Sequence, residues 1–562
     1  MVLAPFPAVA PRCAFALLVL GALTGCVGAI GAAPIDYLGE DGTQSHDGGR
    51  TLGKDAGPKR DSSVVSDVPV EVGNGDPQQE APVIVPEVNS SDAGTAAVTD
   101  ACPGTGNQPL ATGVRIAEIA LYQTVKVSLY KGGSWVSART APVVQGKQSL
   151  VRVFVDTLSG YSPRSLRGVL TLSDGTNATQ FVDQRSLDGA STEDQLNSTF
   201  SFQVDGAQLG DSTKFSVAIE ELECGDDVGA AADARFPAAG LTDLGAENIG
   251  NLTVVVVPVS INGRVPVTTD RELASMRSAL LAYYPVPDVE ISVRAPLVWT
   301  QPIDALDGQT WSNLLNGIMS ERRKDAPASN VYYFGLMQPT ATFRTYCPKG
   351  CILGLAPQTT SVQTSAQIGL GASFGDSQTY ETMVHELGHA HGRGHAPCVE
   401  SGEIDGVDPK YPDKTGAIMT WGWDSRSNTL MPPSDKDIMG YCEPNWISTY
   451  NYSLNAARSE QVNQKAFIAN AKNAVLWQHV MLYADGTARW GGGTETLKPG
   501  GTTEQADVLD ALGNVIDHVE VVRIALSHTG DQFAYIPTPG ENWSALQLSD
   551  RVLLIGAIKP AL

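Results

Sequence analysis

Residues 379–397 read TYETMVHELGHAHGRGHAP and set His385, Glu386, His389, Gly392 and His395 in the order H-E-x-x-H-x-x-G-x-x-H. Residues four apart on an α-helix lie about 40° apart in rotation and roughly 6 Å apart along the axis, so His385 and His389 can grip one metal ion from a single helical face. Glu386 sits beside that face and can reach a metal-bound water without being a ligand itself. Gly392 suits a left-handed turn that ends the helix and lets His395 swing back as the third ligand. Three protein ligands leave the fourth position of a tetrahedral Zn2+ open for water, as catalysis requires. Four of the chain's 8 histidines fall in this stretch. His391, two residues past His389, is about 200° round the helix and is not read as a ligand. A helix that merely happened to be histidine-rich would not hold five specified positions in register.

These residues resemble the metzincin clan of zinc metallopeptidases, whose extended motif is the one quoted. The resemblance covers roughly residues 250 to 450, and its specific part is the zinc motif. It implies a methionine-containing turn beneath the metal, for which SDKDIMGYCEP offers Met439, with Tyr441 two residues later. Met419 in GAIMTWGW competes but lacks that tyrosine, and Met439 could also be an ordinary gap-filling core residue. In some metzincin families a tyrosine at this place reaches the zinc or the oxyanion, and the resemblance carries that role to Tyr441. Ala396, after the third histidine, does not choose a family within the clan. The implied chemistry is hydrolysis of protein or glycoprotein substrates by a zinc-bound water that Glu386 activates. The alternative is a surface binding or adhesion lipoprotein whose metzincin-like part is inactive, although nothing in the motif is degraded.

The N-terminus places this chemistry. Arg12 precedes the apolar run AFALLVLGAL, too short for a permanent membrane span but suited to a signal peptide. It ends in Leu23-Thr24-Gly25-Cys26, which looks like a bacterial lipobox, so residues 1–26 are expected to be a lipoprotein leader with lipidation at Cys26. Ordinary signal cleavage with a passive Cys26 is the other option. Val27 rather than aspartate after the cysteine favours the outer membrane. Residues 27–105 are rich in Gly, Ser, Asp, Pro and Glu, and read as a disordered acidic linker. The formal charge of −23 argues against nucleic acid or anionic lipid as a partner. A monomer, held to the membrane by its lipid alone, is expected.

The expected fold class is multidomain, an α/β metzincin-like catalytic domain flanked by all-β, sandwich-like domains. Residues 106–240 alternate apolar and polar through SLVRVFVD, RGVLTLSD and KFSVAIEE, which predicts an Ig-like β-sandwich. Residues 246–455 alternate strand-like LTVVVVPVSI and NVYYFGLMQ with helical TTDRELASMRSALLAYY, capped from Thr269 to Glu272, and TWSNLLNGIMSERR. Asp376 or Ser377 is the expected N-cap of the zinc helix, and AQIGLGA or CILGLAP is a candidate edge strand for pairing with an extended substrate. Residues 470–562 return to β patterns and suggest a second sandwich, with His479, His518 and His528 as scattered, non-ligand histidines.

Six cysteines remain beyond the leader, and an exported chain favours bridges. The sequence leaves the connectivity open; the pairing expected is Cys102 with Cys224, Cys347 with Cys351, and Cys398 with Cys442. Glu403, Asp405, Asp408 and Asp413 could hold calcium, but their spacing matches no defined loop and solvated surface is preferred.

Overall fold

A computed structural model describes residues 108–222, 232–398, 406–464, 476–495 and 498–558. The leader with Cys26, the linker, Cys102, Cys224, Glu403 and Asp405 lie outside the described residues. The architecture is multidomain and mostly β, with few helices. Among the described residues no helix is long and apolar enough to cross a membrane.

The first unit has two antiparallel sheets. Val114–Gln123, Val125–Lys131, Ser149–Thr157 and Phe200–Val204 build one; Arg164–Ser173, Ala178–Leu187 and Lys214–Glu221 build most of the other. They pack closely enough that a β-carbon on Gly168 would lie 2.6 Å from the Phe200 ring. The inward residues at alternate positions, Ile119, Leu121, Val153, Leu170 and Val217 among them, are fully buried, as strand periodicity requires.

Leu252–Ile261 forms the axis of a six-stranded sheet. It pairs in parallel with Val289–Val293, Leu297–Trp299 and Val331–Met337, and the last of these continues to Ile368–Ala372. Gly354–Leu355 closes the edge in the antiparallel sense. Tyr332, Phe334 and Leu336 face helices Asp270–Tyr283 and Ser377–Ala390, while Tyr333 and Met337 face helix Gly308–Asp325. The sheet thus has helices on both faces, consistent with its nearly continuous apolar strands.

The C-terminal strands depart from the expected sandwich. Trp477–Leu482, Ala488–Glu495, Thr502–Leu509, Val515–Leu526, Gln532–Pro537, Ala545–Gln547 and Val552–Leu554 share one antiparallel sheet. One face encloses a core of its own, including Val480, Val508 and Ile536. The other, through Met481, Ile524, Phe533 and Tyr535, joins the core beneath helix Gly308–Asp325. Alternation in sequence signals that one face is covered, and does not reveal that the other is covered by a neighbouring unit.

The sheets also cross the divisions drawn from sequence. Gly422–Asp424 and Thr429–Met431, from the stretch after the histidine motif, extend the first sheet beyond Val125. Pro357–Gln358, beside helix Ser377–Ala390, pairs with the end of Val515–Leu526. Lys147 reaches from the first unit to the carbonyls of Leu281 and Tyr284, at 2.5 and 2.9 Å.

Candidate metal centre

Helix Ser377–Ala390 begins at Asp376, whose side chain accepts from the Thr379 amide at 3.0 Å. It ends where Gly392 turns left-handed at φ 85° and the Arg393 amide reaches back to the Gly388 carbonyl at 3.0 Å. A β-carbon on Gly392 would lie 2.6 Å from the Thr359 carbonyl oxygen, so both the dihedral and the space demand glycine. The chain then bridges His395 to Val407, with the His395 amide donating to the Gly406 carbonyl at 3.0 Å. This reversal carries His395 back to the helix.

The three rings converge. His389 Nε2 lies 3.0 Å from His385 Nε2 and 3.1 Å from His395 Nε2. His385 Nδ1 is 2.7 Å from the Ile438 carbonyl, and His389 Nδ1 is 2.7 Å from the Arg393 carbonyl. Carbonyls only accept, so each Nδ1 carries the proton and each facing Nε2 presents a lone pair. Lone pairs this close repel unless they share a cation, and neutral imidazole is the form a metal takes. Burial drives His385 down to about 3 and His389 well below its ordinary value, which keeps both neutral. The donor set therefore fits a zinc ion.

His391 takes another course. Its Nδ1 donates to the Leu387 carbonyl at 2.7 Å and its ring stacks on Tyr332 with centroids 4.6 Å apart, within the core.

Met439 lies under the helix, 1% exposed, in a turn held by the buried Asp437. That carboxylate accepts from the amides of Met439 at 2.8 Å and Ser448 at 2.9 Å. Tyr441 follows, with its hydroxyl 3.0 Å from His395 Nε2. Disulfide Cys398–Cys442 ties this turn to the segment after the third histidine, and Cys347–Cys351 forms as well. The third expected pair lies outside the described residues. Asp408 and Asp413 use their carboxylates locally, Asp408 for the Lys410 amide and Tyr450 hydroxyl, Asp413 for the Thr415 and Ala417 amides.

Glu386 is 2% exposed, and burial pushes its carboxyl up to about 7. Two partners come from the C-terminal sheet. Ser527 donates its hydroxyl to Glu386 Oε2 at 3.1 Å, and His528 Nε2 lies 3.0 Å from Glu386 Oε1. His528, read in sequence as a scattered histidine, instead joins His385, His389 and His395 in one cluster: one nitrogen from each lies within 4.8 Å of the others. No spacing rule could link residues 142 positions apart; only the folding of a distant hairpin turn onto the helix brings them together. His479 remains wholly buried against Phe533 and Tyr535, and His518 pairs with Asp507 on the surface.

Residues 359–461, which run from the strand beside the helix past the methionine turn, match the family model described as Peptidase M66. This match supports a metallopeptidase, with protein as the substrate class. No curated protein matches the chain. Among solved structures the chain is similar to the crystal structure of metalloproteinase-II from Bacteroides fragilis, with 11% sequence identity over 61% of this chain and 88% of that one. The TM-score of 0.21 is too low for any argument from that likeness.

Proposed function

We propose that the chain is a zinc-dependent endopeptidase of metzincin type, exported and tethered through Cys26, that hydrolyses protein or glycoprotein substrates outside the cytoplasm. The observation that carries this reading is the convergence of three histidine Nε2 atoms beside Glu386, which shares a helix with two of them. His385, His389 and His395 would hold the ion. When bound, zinc supplies a Lewis acid that polarises the scissile carbonyl and lowers the pKa of water to about 7.

The chain's own residues do the rest. Glu386 accepts a proton from the attacking water and returns it to the departing amine, for which a carboxyl raised toward neutrality is suited. Tyr441 donates its hydroxyl to the oxyanion of the transition state, a contact worth about 3 kcal/mol when the donor is held in place. Met439 and the Asp437 turn position the floor. The antiparallel edge strand Gly354–Leu355 and the segment that follows form a rim on which an extended peptide can pair. The leader and lipobox support the location.

Peptide-library digestion by wild type and Glu386→Ala, with metal content measured on both, tests the reading. The variant should keep about one zinc per chain and lose turnover by several orders of magnitude. Equal activity in the two, or no bound metal in either, overturns it.

A further inference from the structure

We propose that His528 is a fourth protein donor at the metal centre, and that the turn carrying it holds the resting enzyme latent. This deepens the zinc-peptidase reading and rests on it.

The donor count comes first. Catalytic zinc sites keep three protein ligands and one open position, whereas a site with four protein ligands has no position left for water. Here four imidazoles share one cluster, with the His528 ring centroid 5.5, 5.4 and 4.9 Å from those of His385, His389 and His395. The hydrogen bonds assign the tautomer. His528 Nε2 faces the Glu386 carboxylate at 3.0 Å and donates to it, which leaves Nδ1 with the lone pair. That Nδ1 and His395 Nε2 flank the Tyr441 hydroxyl, at 2.5 and 3.0 Å, so movement of that one hydroxyl would leave both facing the cluster that the four histidines share. A ligand histidine whose second nitrogen donates to a carboxylate is the usual support arrangement at metal sites. In that role Glu386 orients His528 and is withheld from water.

The second observation concerns the base. Ser527 and His528 each engage one oxygen of Glu386, and the Gly354 backbone packs so close that a β-carbon there would lie 2.3 Å from Oε1. While the turn is seated each oxygen is already engaged by one donor, with which a reacting water must compete.

The third concerns the rim. Ala525 and Leu526 pair antiparallel with Gln358 and Pro357, the Ser527 amide donates to the Ala356 carbonyl at 2.9 Å, and the Ala356 amide donates to the Ser527 hydroxyl at 2.9 Å. The chain's own strand thus takes backbone groups that an extended substrate would use. His528 also sits at φ 64°, a left-handed conformation that disfavours a side chain by about 1–2 kcal/mol relative to glycine. A residue kept there against its preference points to a role for the imidazole.

X-ray absorption of the zinc-loaded full chain, with visible spectra of its cobalt form, reads the donor set directly. Wild type should show four nitrogen donors, and His528→Gly three nitrogens and one oxygen. Glycine at φ 64° is unstrained, so this variant should fold. Peptide hydrolysis by His528→Gly should rise by at least about tenfold, because activity follows the fraction of molecules whose site is open. Three nitrogens and an oxygen in wild type would overturn the proposal without any variant. So would a His528→Gly protein that keeps its zinc but loses activity, which would make His528 a participant in turnover. Those two results leave the peptidase reading standing; absence of stoichiometric metal from both proteins sinks both.

Discussion

Met439 lies so close beneath Gly388 that a β-carbon at residue 388 would sit 2.4 Å from the methionine sulfur. The helix backbone between His385 and His389 rests directly on this floor. Gly388→Ala should destabilise the fold by about 1–3 kcal/mol through overpacking, despite alanine's better helix propensity. Urea denaturation checks the first effect, and zinc stoichiometry would show whether the ligand helix has been lifted from its seat.

Asp437 holds that floor from below, buried and accepting from two amides. Asp437→Ala strands those donors in the interior, at about 1–3 kcal/mol each. Asp437→Asn keeps one acceptor oxygen and should recover part of the loss. Thermal melts of the two variants should therefore fall in the order wild type, asparagine, alanine.

Removing the metal should soften the whole central unit. A ligand present at about a thousandfold over its Kd stabilises the folded state by about 4 kcal/mol, so chelation should lower Tm and zinc should restore it. A melt indifferent to chelator would show that the three imidazoles are held by packing alone.

Glu381 gives a pH signature away from the ligands. Burial, helped by Glu443, pushes its carboxyl from 4.5 up to about 7. The folded state then binds more protons than the unfolded state between those values, so this group's stabilisation is present at low pH and is lost as pH rises toward 7. Glu381→Gln should flatten that fall. As the side chain is only half-buried, the gain in denaturation free energy at about pH 8 relative to about pH 5 should be near 1 kcal/mol.

Lys147 offers a test of the seam between the first unit and the central one. Its side-chain amine donates to the Leu281 and Tyr284 carbonyls at the C-terminal end of helix Asp270–Tyr283, and burial pushes that amine down to about 7. Lys147→Met keeps the bulk and removes the donors, and should destabilise the chain by about 1–3 kcal/mol in urea denaturation.

What could be read in the sequence was local. His385, Glu386 and His389 are fixed by helical period, Gly392 by its turn, and the Asp376 cap by its place before the helix. The resemblance alone points to Met439 and Tyr441, and their positions beside the helix and His395 follow from a turn that Asp437 and Cys398–Cys442 hold. Ser527 and His528 carried no such mark. They lie in an ordinary hairpin turn, and their meaning arises only when Leu526 pairs with Pro357. The single C-terminal sheet was hidden for the same reason, since alternation shows that a face is covered without naming the cover. The strands at 422–431 are too short for period-2 alternation to declare them.

Those two short strands set the order in which the polypeptide can mature. Val125 finds its outer neighbour only in Gly422, nearly three hundred residues later in synthesis. A nascent chain exposes that raw margin until the later residues arrive, open to pairing with other copies. Fragments cut at the apparent unit borders would leave that margin open, and should aggregate where the intact chain stays dispersed.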